Sequence, residues 1–227
     1  MLNKEFENEF DILYNNIMSN QAPGIDVYEK SVFLTKAKEQ LILSYYNGKN
    51  TYLESFEKTE EMRRYLSNIV KTAKLSPLQE TPGNITLTEN SEVFKLPGNL
   101  WFITYEAAKL DTNQGDCVDS KTIQVVPVTQ DDLYRTLENP FKGAGLRRAL
   151  RLDIGNNQVE LISKYKIANY IVRYLEYISP IILTDLDEGL SINGSSEETK
   201  CDLPEGLHRV VLELAVQLAS NAYKANN

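Results

Sequence analysis

Apolar residues recur at spacings of three and four through residues 1–83 and again through 203–227. Between them, over 84–202, the apolar positions fall in short runs rich in β-branched and aromatic residues and separated by turn signals. The first pattern predicts a helix over about 3–19, with Phe6, Phe10, Leu13, Tyr14 and Ile17 on one face. Gln21-Ala22-Pro23-Gly24 breaks it, because Pro donates no hydrogen bond and Gly tolerates the turn. Asp26 followed by Glu29 has the form of a capping box and opens a second helix over about 27–46. Its stripe is Val27, Lys30, Leu34, Ala37, Leu41 and Tyr45, with Lys30 at the boundary, its stem along the surface. Asn47-Gly48 closes that helix. Met62, Leu66, Ile69 and Ala73 predict a third helix after Thr59, and Ser76-Pro77 and Pro82-Gly83 end the helical part.

The middle of the chain predicts strands over 85–88, 93–96, 101–107, 122–128, 148–154, 158–163, 168–177 and 181–183, with a short helix over 131–137. Gly155-Asn156-Asn157 joins two of these runs as a hairpin, since Asn and Gly accept positive φ. The last helix is the plainest. Pro204 suits its first turn, and Leu207, Val211, Leu214, Leu218 and Ala222 form a stripe with Val210, Ala215 and Ala219 beside it. So wide an apolar face needs a buried partner, and the helices near the start of the chain supply one. The expected fold is α+β: a helical bundle formed by both chain ends, 1–83 and 203–227, with a large β-rich domain inserted over 84–202.

Charge follows this division. The three segments carry net −2, −6 and 0, within a total of −8. That balance argues against coating nucleic acid through bulk charge. Glu5, Glu7, Glu9 and Asp11 stand where a signal peptide needs an apolar run, and no apolar stretch approaches the roughly 20 residues of a membrane span. Cys117 and Cys201 read as free thiols of a reducing compartment. Asn84-Ile85-Thr86 and Asn193-Gly194-Ser195 match a glycosylation sequon and read as ordinary turn chemistry.

Little of the sequence carries chemistry. His208 is the single histidine, and with Cys201 seven residues upstream it makes one candidate Cys/His pair without a supporting motif. Its structural reading is a helix-face or interface histidine. One His and two distant Cys leave almost nothing for a zinc site. Asp131-Asp132 suits a helix N-terminus better than a metal site, and the Asp185/Asp187 stretch lacks calcium-loop spacing. Gly143-Ala144-Gly145 is too short for a phosphate loop. No catalytic, cofactor or metal residue is assigned. The one basic cluster of the middle segment is Lys142, Arg147, Arg148 and Arg151, a candidate contact with a neighbouring subunit or with DNA phosphate, or a solvated cluster. Pro140, Gly143 and Gly145 make Lys142 the start of a mobile loop. Strand alternation puts Arg147 and Arg151 on one face and Arg148 on the other. Thirteen tyrosines lean toward an assembly protein.

Two segments carry a resemblance, EFDILYNNIMSNQAPGIDVYEKSVFLTKAKEQLI (9–42) and CDLPEGLHRVVLELAVQLA (201–219), with YIVRYLEYISPIILTDL (170–186) similar in style. They resemble structural proteins of tailed bacteriophages of gut Bacteroidetes, the crAss-like group, and in type a head-to-tail connector. The resemblance implies a ring or adaptor subunit stacked below the portal, with about twelve copies in closed rotational symmetry. It implies portal and tail proteins as partners, double-stranded DNA passing without sequence specificity, and no cofactor, membrane or catalytic residue. The virion is the implied location, after assembly in the bacterial cytoplasm. Two other classes stay open from the residues alone: a virion-associated enzyme or maturation factor using Cys201/His208, and a tail accessory binding a host surface ligand.

Overall fold

The computed structural model describes residues 1–18, 24–48, 59–78, 88, 91–111 and 121–225, with only the backbone at Met62 and Ala225. In chain order the elements are α1 (Asn3–Met18), α2 (Val27–Tyr46), α3 (Glu60–Tyr65), β1 (Val70–Leu75), β2 (Ser91–Lys95), β3 (Leu100–Leu110), β4 (Thr122–Pro127), α4 (Leu133–Leu137), β5 (Arg148–Gly155), β6 (Gln158–Ile162), β7 (Ile167–Glu176) and α5 (Glu205–Ala225). The fold is mixed α+β. It divides into one unit of Met1–Ile69 with Ile178–Asn227 and a second of Val70–Tyr177. The expected strand over 85–88 (apart from Thr88), the Asn84 sequon, Pro82-Gly83, Gln21 to Pro23 and Cys117 lie outside the described residues.

In the first unit α5 packs against α1 and α2. Phe6 and Phe10 of α1 and Leu34, Ala37 and Ile42 of α2 are fully buried, and each large side chain among them contributes roughly 1.5–3 kcal/mol by leaving water. The capping box forms: Glu29 N–H donates to Asp26 Oδ1 at 2.7 Å and Asp26 N–H to Glu29 Oε2 at 3.3 Å. Gly48, at φ 69°, takes the left-handed position after the helix. The buried face of α5 is rotated from the expected stripe. Its centre is His208, Val211, Leu212, Ala215, Val216 and Ala219, whereas Leu214 and Leu218 are half-buried and Val210 and Ala222 exposed.

Between the two units' boundary and α5 runs an extended segment, 178–183, against α2. Leu183 N–H donates to Ser31 Oγ (3.1 Å), Ile181 N–H to Thr35 Oγ1 (3.0 Å), and Lys38 Nζ to the Ser179 carbonyl (2.8 Å). The geometry explains the spacing. Alternate residues of an extended chain advance about 6.7 Å, close to the roughly 6 Å of four helical residues. Residues 31, 35 and 38 therefore meet 183, 181 and 179 in turn. The residues 181–183 expected as a strand make only one bridge, Ile182 to Thr199, and belong to this unit rather than to the sheet.

The second unit is a seven-stranded sheet in the order β1-β7-β3-β4-β5-β6-β2. All pairs are antiparallel except β4–β5, whose crossover carries α4. The β5–β6 hairpin turns through Gly155, Asn156 and Asn157, all at positive φ. Phe94 of β2 and Tyr170 of β7 have ring centroids 5.5 Å apart. Five strand intervals separate β7 from β2, about 24 Å in a flat sheet, so the sheet is rolled and its two ends meet over one core. Register shifts in β3 supply local bends. The inner face includes Phe94, Ala108, Ile123, Val125, Ala149, Val159, Leu161 and Tyr170. On the outer face Leu150, Leu152 and Ile162 are covered by Leu133 of α4.

The third helix is shorter than its periodicity predicts. It stops at Tyr65, and Val70–Leu75, read above as its continuation through Ala73, pairs with β7 as an edge strand. β-Branched Ile69 and Val70 favour extended backbone, and the free edge of β7 gives that backbone partners a helix would not.

Candidate functional site

The basic cluster is divided by the fold. Arg148 opens β5 with its side chain on the outer face, while Arg151, three residues on, points to the inner face beside Leu161. There Arg151 Nη1 meets Glu106 Oε1 at 2.7 Å and Nη2 meets Asp153 Oδ2 at 3.4 Å. Tyr170 donates its hydroxyl to the other Glu106 oxygen at 2.5 Å. The side chain of Arg151 is only 12% exposed. Burial pushes the Glu106 carboxyl above its ordinary value, against the opposing pull of Tyr170 and Arg151. Burial, then the adjacent Glu106, pushes the Tyr170 hydroxyl upward. Arg151 is thus held within the sheet, apart from the other three.

Lys142 and Arg147 lie on the connection from α4 to β5, and Lys142 and Arg148 border one cleft. Asp132 is the N-cap of α4, so Asp131-Asp132 does stand at a helix start, and Leu133 anchors the helix in the outer core. The following loop, expected to be mobile, is closely hydrogen-bonded. Asn139 Oδ1 accepts from Phe141 N–H (2.9 Å) and Lys142 N–H (3.1 Å), and Gly143 N–H donates to the Asn139 carbonyl (2.8 Å). Arg148 Nη1 donates to the Phe141 carbonyl at 3.1 Å, and Gly145 N–H to the Arg148 carbonyl at 2.9 Å. A Cβ at Gly143 would lie 2.9 Å from the carbonyl oxygens of both Leu137 and Asn139, so glycine is required by space.

This framework displays apolar side chains in water. Phe141 is 88% exposed, and Tyr134 and Leu146 are more than half exposed. Beside Phe141 lies an open cleft of about 690 Å³ bordered by Gln124, Val126, Thr129, Lys142 and Arg148. Over 134–148 there are four basic residues and one acidic. The sequence showed the charge and the glycines. It did not show Phe141 standing out, because a lone Phe reads as core until its neighbours are known.

Cys201 and His208 do not form a pair. His208 Nε2–H donates to the Leu203 carbonyl at 2.8 Å, its Nδ1 accepts from the Met1 nitrogen at 2.8 Å, and its ring packs against Phe6. Both ring nitrogens are engaged, neither by the thiol. Burial pushes the Cys201 thiol up, away from the nucleophilic thiolate. Among the described residues no three metal-ligating side chains gather, and no helix is long and apolar enough to cross a membrane.

Among the described residues, the chain from α4 to β5 presents exposed apolar and basic side chains to water. The chain is 49% identical over 220 residues to "Ring protein 3" of Bacteroides phage crAss001, covering 96% of this chain and 95% of that protein. It is 37% identical over 231 residues to "Ring protein 4/5" of the same phage, covering 98% and 93%. Residues 1–227 match the family described as phage tail ring protein 3/4. The chain belongs to the phage tail ring protein 3/4 family of crAss-like phages.

Proposed function

We propose that this ring protein is a non-enzymatic subunit of the phage head-to-tail connector. Copies of it form a closed ring stacked below the portal, line part of the DNA conduit and dock tail components. The observation that carries this reading is similarity along almost the whole chain to two differently named ring proteins of one phage, which supports a stack of related rings. A ring of about twelve is the copy number that the resemblance implies, and any such closed ring repeats one heterologous contact around its axis. The net charge of −8 suits a conduit wall that repels phosphates instead of holding them. Subunits assemble in the bacterial cytoplasm and end in the virion.

Light scattering coupled to size exclusion tests the reading. A particle of about twelve chains supports the connector ring, whereas a trimer supports a host-binding tail accessory. Imaging virions labelled with an antibody then places the ring: label at the neck agrees with the proposal, and label at the distal tail contradicts it. Cys201→Ala virions should remain infectious, and their loss of infectivity with assembly intact would revive the enzymatic alternative.

A further inference from the structure

A ring built from one repeated contact needs two different, complementary patches on each subunit, and the chain carries two segments of opposite charge. The first is the 134–148 protrusion, with Phe141 at its tip and Lys142 and Arg147 exposed beside it. The second is 184–199, which holds five carboxylates and no basic residue. This second segment is also a built feature. Leu186 N–H donates to the Ser196 carbonyl (2.8 Å), Glu198 N–H to Asp185 Oδ1 (2.7 Å), and Asn193-Gly194 turns it at φ 51° and 81°. Those bonds leave Asp187, Glu188 and Glu197 exposed, with Leu190 partly exposed beside them.

We propose that Phe141, Lys142 and Arg147 of one copy dock on Asp187, Glu188 and Leu190 of the next copy in the ring. The inference rests on the ring reading above and names its contact. A second copy is favoured over DNA because the protrusion is apolar at its tip. An exposed aromatic with a basic rim has the makeup of a protein-interface anchor, whereas phosphate contacts call for polar and cationic groups. The acidic partner is present on every subunit, so each contact creates the site for the next.

The test is a charge exchange in the full-length protein. Lys142→Glu with Arg147→Glu makes one variant, and Asp187→Lys with Glu188→Lys makes another. All four positions are exposed, so circular dichroism and melting should match wild type. Each variant alone should need at least about tenfold more protein to form rings. Mixed one to one, they should assemble again, since each protrusion then faces a segment of opposite charge. Phe141→Ala should weaken assembly in both backgrounds. Rings formed by each variant at the wild-type concentration would overturn the proposal, as would a mixture that fails like its components. A Lys142/Arg147 variant that assembles normally yet loses a salt-dependent affinity for double-stranded DNA would make the protrusion a DNA contact. If the wild type itself gives only monomers or trimers, the ring reading falls first, and the failure is visible without any variant.

Discussion

The two units meet the same demand, hydrogen-bonding extended chain away from water, by different means. In the rolled sheet, backbone bonds backbone, so most strand positions can change side chain without removing a ladder bond. In the helical unit the extended segment 178–183 takes partners from the side chains Ser31, Thr35 and Lys38. There, one substitution removes the partner itself. The buried cations differ in the same sense. Lys38 is fully buried and is compensated by Asp202 at 2.5 Å and the Ser179 carbonyl. Arg151 shares two carboxylates, one of them on its own strand. The lesson is that the helical unit should be the more brittle toward polar substitutions, and the sheet toward changes in volume.

The largest effect is expected at Asp202. Asp202→Ala strands the buried ammonium of Lys38 and should lower unfolding free energy by about 3–5 kcal/mol. Lys38→Met should cost less, because the remaining carboxylate is partly open to water. Equal losses in urea titrations would remove the asymmetry. Next comes the face of α5. Leu212, 1% exposed, should lose about 2–5 kcal/mol on replacement by Ala. Leu214→Ala should lose clearly less, and a reversed order would restore the stripe expected from periodicity.

Thr35→Val keeps shape and removes one hydroxyl. It leaves the Ile181 N–H without its partner and should cost about 1–3 kcal/mol. Val125→Thr, which adds a hydroxyl to the buried sheet core, offers the matching probe there. A neutral Thr35→Val would mean that the side-chain rungs contribute little and the contrast between the units is wrong.

The smallest effect is a pH dependence in the sheet. Burial raises the folded-state pKa of Glu106, so the folded protein binds that proton more readily than the unfolded chain. Its favourable contribution is complete below the ordinary carboxylate value of about 4.3 and is lost as pH rises through the higher folded value. Stability of wild type minus that of Glu106→Gln should therefore fall with pH in that window and level off above it. A difference that rises there would show that Arg151 outweighs burial.

Much of the local structure was legible because its causes are local. The capping box at Asp26 and Glu29, the stop at Asn47-Gly48, the hairpin at Gly155 to Asn157 and the course of α5 after Pro204 each follow from a few adjacent residues. The resemblance in 9–42 and 201–219 pointed to the family that the whole chain matches. The candidate surface was half legible: charge and glycines announced Lys142, Arg147 and Arg148, while Arg151 parted from them only when strand β5 gained an inner face.

What tertiary structure alone decided is non-local. Val70–Leu75 became a strand because β7 offered an edge. Ser31, Thr35 and Lys38 became core because the chain nearly 150 residues later lays its backbone along them. Phe94 met Tyr170 because the sheet rolled. Amino-acid periodicity reports which face of an element avoids water. It carries no record of which distant backbone will need a hydrogen bond, and in this chain that need selected the buried polar residues.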